Sequence, residues 1–211
     1  MSYPPAPWRL QGDCLLTVHL VEAARARPFV PPELVIVHVL PGRTLAAAFL
    51  ARYGPRSVIE YNELTVIAAF VRFGRSLGFW ISHIYVDDTA SLEGGRELWG
   101  MPKEMAEFNW HSEGRRHVDV RQGERLLCTL EARRPIWLWR QRMTLPFLSL
   151  TRPELLRFRA RVTPRMGMSG GTLHIPAESP FAGLGLGRPW MALHGREVTF
   201  DYTAAEAIRR P

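Results

Sequence analysis

The run NELTVIAAFVRFGRSLGFWISHIYV, residues 62–86, contains two apolar segments, Asn62–Phe73 and Phe79–Val86, with Gly74 and Gly78 between them. Short apolar or alternating runs bounded by glycine are the signature of consecutive β-strands joined by a tight turn. The stretch from Leu64 to Val71, broken only by Thr65, falls far short of the roughly 20 apolar residues a helix needs to cross a bilayer. Working outward, segments of the same kind recur at Leu15–Val21, Leu34–Leu40, Thr44–Ala51, Glu104–Trp110, His117–Arg121 and Leu126–Ala132. Pro28, Pro31, Pro32, Pro41-Gly42, Gly54-Pro55, Gly114 and Gly123 punctuate them, as turns between antiparallel strands require. Many short strands without a βαβ rhythm predict a mostly β (α+β) fold that closes as a sandwich or barrel.

A chain of 211 residues is expected to form a single domain, 1–211. With 46% hydrophobic and 22% charged residues and 17 each of Gly and Pro, its composition is that of a turn-rich globular protein, which excludes a disordered or collagen-like chain. Met1–Trp8 has neither a charged n-region nor an apolar h-region, so a cytoplasmic protein without membrane attachment is expected. Cys14 and Cys128 stand far apart and fit neither a disulfide framework nor a cysteine zinc site, so both are read as small buried hydrophobes.

The formal charge of +7 arises from 27 basic and 20 acidic residues. Of those 27, 26 are arginines, and Lys103 is the only lysine. A genome rich in arginine codons accounts for the bias. Lysine alone, however, is a primary amine that can lose its proton and attack a carbonyl, whereas a guanidinium stays charged. Two short helices are expected. One runs from about Ser91 to Trp99 and stops at Gly100, the residue best suited to a left-handed closing conformation. The other opens at Thr151-Arg-Pro-Glu154, a capping-box pattern, and includes Leu155, Leu156 and Phe158. Met101 before Pro102 is pushed to an extended conformation, so Lys103 should begin a strand at the lip of a barrel or sheet.

Gly95-Arg96-Glu97-Leu98-Trp99-Gly100-Met101-Pro102-Lys103 resembles the G-R-E-x-x-x-x-P-K signature of the acetoacetate decarboxylase family, and Tyr61-Asn62-Glu63 falls where that family carries a Y-x-E acid. The resemblance spans roughly residues 7–135. It implies a cone-like, mostly antiparallel β-barrel with a few short peripheral helices, a homo-oligomeric assembly and a Schiff-base lysine acting on a small keto acid, with no metal or cofactor. By resemblance, Lys103 matches the Schiff-base lysine and Glu63 an acid of the same pocket. The chain departs from the family at three places. Glu104 follows the lysine where a second lysine is usual, Ala47–Ala48 replace a further glutamate, and Gly12-Asp13 replace an N-terminal arginine. These departures bear on decarboxylation more than on Schiff-base formation.

A lysine with an ordinary pKa of about 10.4 is neutral in only about one molecule in 2,500 at pH 7, so nucleophilic use requires a depressed value. Acetoacetate decarboxylase is itself the standing example of such depression. Burial alone can supply about 3–5 units. Tyr61, Trp99 and Met101 are expected to enclose the amine, with Arg96 as a nearby cation. Glu104, on the opposite strand face, is expected to point away.

Other signals are weaker. Gly167-Met-Ser-Gly-Gly171 matches the G-x-S-x-G spacing, but a strand-like Thr172–Pro176 follows instead of a helix. Gly183, Gly185 and Gly187 lack a helix that would present N–H groups to phosphate. His117 and Asp119 share a strand face, but two ligands do not define a metal site. From Glu131 to Arg165 nine arginines face two acids, interleaved with Trp137, Trp139 and Phe158, a pattern compatible with nucleic-acid contact, although a solvated basic face explains it more simply. The reading is therefore a lyase that decarboxylates a β-keto acid through an iminium on Lys103. The alternatives are an aldolase or dehydratase using the same amine, or a non-catalytic barrel that binds small acids or nucleic acid.

Overall fold

A computed structural model describes residues 3–111, 116–140, 142–151 and 154–208. Strand β1 (Trp8–Glu22) leads into a one-turn helix α1 (Ala23–Ala26), followed by β2 (Val35–Ile36), β3 (Arg43–Tyr53), β4 (Tyr61–Phe73) and β5 (Ser76–Val86). Helix α2 (Thr89–Trp99) precedes β6 (Lys103–Met105), β7 (Glu107–His111), β8 (Arg116–Gln122), β9 (Arg125–Ala132) and β10 (Ile136–Arg140). The chain finishes with β11 (Met143–Thr151), β12 (Glu154–Ser169), β13 (Gly171–His174), β14 (Met191–Tyr202) and β15 (Glu206–Ile208).

Strands β4, β3, β1, β14, β12, β11 and β5 pair in that order, and β5 pairs back onto β4, which closes a seven-stranded barrel. Every seam is antiparallel except the short parallel contact between β11 and β5, where Phe147 faces Phe79 and Leu148 faces Trp80. A second sheet, in the order β13-β9-β8-β7, lies beside it. The mostly β barrel with few short helices anticipated from the sequence is thus the observed fold.

Alternation on β4 explains why one strand serves two cores. Tyr61 and Ile67 belong to the cluster inside the barrel, whereas Leu64, Val66 and Ala68 pack with Val118, Val120, Leu127 and Leu130 of the second sheet. Successive side chains point to opposite faces, so a strand buried on both sides reads as a nearly continuous apolar run. On β12 the other face meets water. Phe158, Ala160 and Val162 are buried inside while Arg157, Arg159 and Arg161 are exposed, so these three arginines form a solvated strand face.

Three expectations are corrected. The capping-box helix at Thr151–Glu154 is a β-hairpin instead, with Thr151 opposite Glu154 and the β11–β12 register running back to Met143 opposite Val162. Arg152 and Pro153 lie outside the described residues. Local capping chemistry loses here because β12 finds ladder partners on both sides, β11 and β14. The strand expected over Leu34–Leu40 shrinks to Val35–Ile36 at the sheet edge, and Val35 and Leu40 remain about half exposed, at 54% and 50%. Glu104–Trp110 is two strands, because the chain leaves β5 at Met105 and crosses at Ala106 to pair β7 with β8. The helix expected at Ser91–Trp99 is present and begins two residues earlier, capped by the Asp88 carboxylate, which accepts the Ser91 N–H at 2.7 Å. It closes at Gly100 with φ 60°.

Candidate active site

Lys103 opens β6 directly after α2 and sends its side chain into the barrel, where it is 2% exposed. Two glycines of α2 make this possible. Each costs about 0.8–1.0 kcal/mol relative to alanine in a helix interior, so a packing reason is required. A Cβ at Gly95 would lie 2.5 Å from Cδ and Cε of Lys103, and one at Gly94 would lie 2.6 Å from the Trp8 ring. The helix thus lies against the lysine stem and the indole with no room for a methyl group. Gly95→Ala is expected to destabilise the fold by about 1–3 kcal/mol and to displace the amine. A denaturant midpoint equal to that of the parent protein would contradict this.

Nζ of Lys103 donates to Oε2 of Glu63 at 3.2 Å and to Oγ of Ser91 at 2.8 Å. Glu63, itself buried, also accepts from the Tyr61 hydroxyl at 3.1 Å and from Oγ1 of Thr65 at 3.1 Å. Tyr61, Glu63 and Thr65 are alternate residues of β4, so strand periodicity alone places all three on the lumen face. Nζ also sits 4.9 Å from the centre of the Tyr61 ring and 5.9 Å from that of Trp8.

Burial pulls Lys103 below the ordinary lysine value, and the charge and hydrogen bond of Glu63, with the more distant charge of Asp88, push it partly back. Burial likewise holds the Tyr61 phenol far above its usual range, so it stays a donor to Glu63. The thiol of Cys14, which also lines the lumen, is pushed up to about 12 by burial, so it is not a thiolate nucleophile.

Folding therefore favours deprotonation of Lys103. The unfolded chain binds this proton more tightly, so stability must rise with pH between the folded value and 10.5. Below about pH 9, where unfolded cysteines begin to ionise, this contribution approaches at most about 1.4 kcal/mol per pH unit. Denaturation at a series of pH values up to that limit should show a positive slope above the folded value that Lys103→Met removes; equal slopes in the two proteins would refute an amine depressed below that limit.

The other residues expected at the site are placed as follows. Trp99 and Met101 line the lumen near Lys103, and the Trp99 indole N–H is spent on the carbonyl of Thr203 at 2.7 Å. Arg96 is exposed, and its Nε donates to the backbone carbonyl of Lys103 at 2.8 Å. It therefore does not act as the cation beside the amine; it holds the main chain from which the amine projects. Helical direction decides this, since α2 turns its Ser91 and Gly95 face, four residues apart, toward the lumen and leaves Arg96 on the next face. Glu104 is exposed and accepts from Nε2 of Gln122 at 2.8 Å, on the opposite side of β6 from the amine. Ser91 and Trp8 escaped the sequence reading. The four-residue spacing of Ser91 and Gly95 was a usable signal for the serine; nothing local marked Trp8, whose place depends on the β1–β14 register. Ser169 ends β12 and leads through Gly170 into β13, so the G-x-S-x-G segment joins two strands and is not a strand-to-helix elbow.

The amine and carboxylate open onto a lumen cavity of about 380 Å³. A cavity with one buried lysine of depressed pKa beside a carboxylate can capture a carbonyl carbon as an iminium and move protons next to it.

A family model described as acetoacetate decarboxylase matches residues 1–155. The chain is 38% identical over 103 residues to Protein NEOXANTHIN-DEFICIENT 1 of Oryza sativa subsp. japonica, covering 49% of this chain and 34% of that protein. It is 29% identical over 106 residues to an acetoacetate decarboxylase of Ralstonia nicotianae, covering 50% and 41%. The matched stretch thus amounts to less than half of either relative. Among solved structures, an acetoacetate decarboxylase from Legionella pneumophila superposes with a TM-score of 0.78 at 15% identity, covering 99% of this chain and 90% of that one.

Proposed function

From the premise that this chain belongs to the acetoacetate decarboxylase family, we propose that it is a Schiff-base enzyme that decarboxylates a β-keto acid through an iminium on Lys103. The observation that carries this reading is the buried lysine whose Nζ lies 3.2 Å from Glu63 in an apolar cavity.

In the proposed sequence the neutral Lys103 amine adds to the ketone carbon, and Glu63 passes a proton to the resulting hydroxyl, which departs as water and leaves an iminium. The bond between Cα and the carboxylate then breaks. Its electron pair moves into the C=N system to give an enamine, and carbon dioxide leaves. Glu63, protonated again, delivers a proton to Cα, and water hydrolyses the new iminium to release the ketone and restore the amine. One proton is consumed overall. Tyr61 and Thr65 orient the Glu63 carboxyl throughout, and Ser91 holds Nζ on the helix side so that the free direction of the nitrogen faces the cavity. Because the carboxylate loses its charge as carbon dioxide forms, an apolar surround favours the transition state over the bound acid.

Borohydride reduction in the presence of β-keto acids, followed by peptide mass mapping, tests the reading directly. The one lysine and the α-amine are the only primary amines in this sequence, so an adduct on the peptide containing Lys103 is unambiguous. Carbon dioxide release without any trapped adduct would rule out the iminium route.

A further inference from the structure

The lumen cavity is larger and far less polar than a short keto acid requires. Residues of every barrel strand line it, including Leu16, Leu45, Phe49, Leu145, Val162 and Leu193. Among the described residues that line it, Lys103 is the only cation and Glu63 the only anion, and these two already pair with each other. The lining runs from Trp8, against which Nζ lies, to Val18 near the other end of β1, ten residues farther along that strand. At about 3.3 Å per residue this is at most about 33 Å of strand, and the strand tilt of about 35–45° in a barrel together with the irregularity at Gly12–Cys14 makes the span along the lumen shorter. At the Val18 end the backbone N–H of Trp190 donates to the Val18 carbonyl at 2.8 Å, and the Trp190 side chain both lines the cavity and is 67% exposed. Met168 pairs with Leu193 on one side and with Ile136 on the other, and both Met168 and Ile136 are exposed, so the rim at this end is apolar as well.

We infer that the carbonyl substrate carries an extended apolar chain, which fills the lumen from the Lys103 amine toward the Trp190 rim, and that binding of this chain is what brings the carbonyl to the amine. At about 30 Å³ for a water-sized group, 380 Å³ holds on the order of a dozen non-hydrogen atoms. The substrate class is therefore a β-keto acid with a medium-length hydrocarbon tail. This rests on the Schiff-base reading above and adds the part of the molecule that does not react. A tail of this kind also supplies the binding energy that offsets transfer of a carboxylate out of water, since the described residues that line the cavity include no guanidinium to receive it.

The test is kcat/KM for carbon dioxide release, together with borohydride trapping on Lys103, for β-ketobutyrate, β-ketooctanoate and β-ketododecanoate on the full chain. The expected gain is about fourfold per methylene until the cavity is full, the fold-change equivalent of about 0.8 kcal/mol. The octanoate should therefore exceed the butyrate by on the order of a hundredfold. Ala47 lines the cavity opposite Val18, and in Ala47→Phe the ratio between the longest and the shortest acid should fall at least tenfold. That ratio is internal to each protein, so partial loss of folded material does not alter it. Trapping that is equally efficient at all three lengths would overturn the inference and leave the Schiff base intact. If no acid is trapped, calorimetric titration with the corresponding methyl ketones separates the two claims. Affinity that rises with chain length would sustain the apolar-chain site while the covalent reading falls, and affinity independent of length would overturn both.

Discussion

Lys103→Arg is expected to abolish both borohydride trapping and turnover, a loss of at least about a thousandfold in kcat, while the protein still folds. A guanidinium cannot deprotonate in the accessible pH range and so cannot form the carbinolamine. It keeps a positive charge beside Glu63, which avoids the cost of about 3–5 kcal/mol for stranding one partner of a buried ion pair. Its planar head is bulkier than an ammonium and Gly95 leaves no slack, so a drop of several degrees in the midpoint of thermal unfolding is expected as well. The arginine variant thus separates nucleophilicity from charge. Residual turnover within tenfold of the parent protein would mean that the amine is not the nucleophile.

Glu63→Gln has the second-largest expected effect, and its signature is a pH profile. Glu63 is the principal influence holding the Lys103 value up against burial, through both its charge and its hydrogen bond. Removing the charge should lower the amine further, so the acidic limb of borohydride trapping moves to lower pH. Turnover should fall nonetheless, by about 10²–10⁴, because an amide cannot shuttle the proton to the departing hydroxyl or to the enamine carbon. Faster capture at low pH combined with slower turnover is the pattern that distinguishes a proton carrier from a structural carboxylate. A limb displaced to higher pH would contradict the assignment. Glu63→Leu should be worse folded than Glu63→Gln, because the leucine also leaves Tyr61 and Thr65 without their shared acceptor.

The relation between Lys103 and Arg96 shows what local pattern can and cannot deliver. That the lysine begins a strand just after a helix follows from Gly100-Met101-Pro102: a glycine able to take φ 60°, then a residue that proline bars from the helix. Strand alternation then separates Lys103 from Glu104 and collects Tyr61, Glu63 and Thr65 on one face. Those statements need only short-range geometry. Which residue of α2 meets the amine depends on how the helix rolls against the barrel. Seven positions apart in the chain, Arg96 reaches the lysine carbonyl and Ser91, twelve apart, reaches its nitrogen.

The C-terminal third carries the same lesson. Thr151–Glu154 satisfies a helix-start pattern, yet the ladders to β11 and β14 extend the chain into a sixteen-residue strand. Sequence by itself determined that the chain is mostly β, that its one lysine stands at a helix-to-strand junction, and that a carboxylate two residues beyond a tyrosine shares a face with its neighbours at every second position. Only tertiary structure decided that seven strands close into a barrel, that Trp8 and Ser91 enclose the amine while Arg96 stays outside, and that the lumen behind it is long and apolar. Periodicity is set by backbone geometry a few residues at a time, whereas closure and enclosure depend on pairings between strands far apart in the chain, whose register no local window contains.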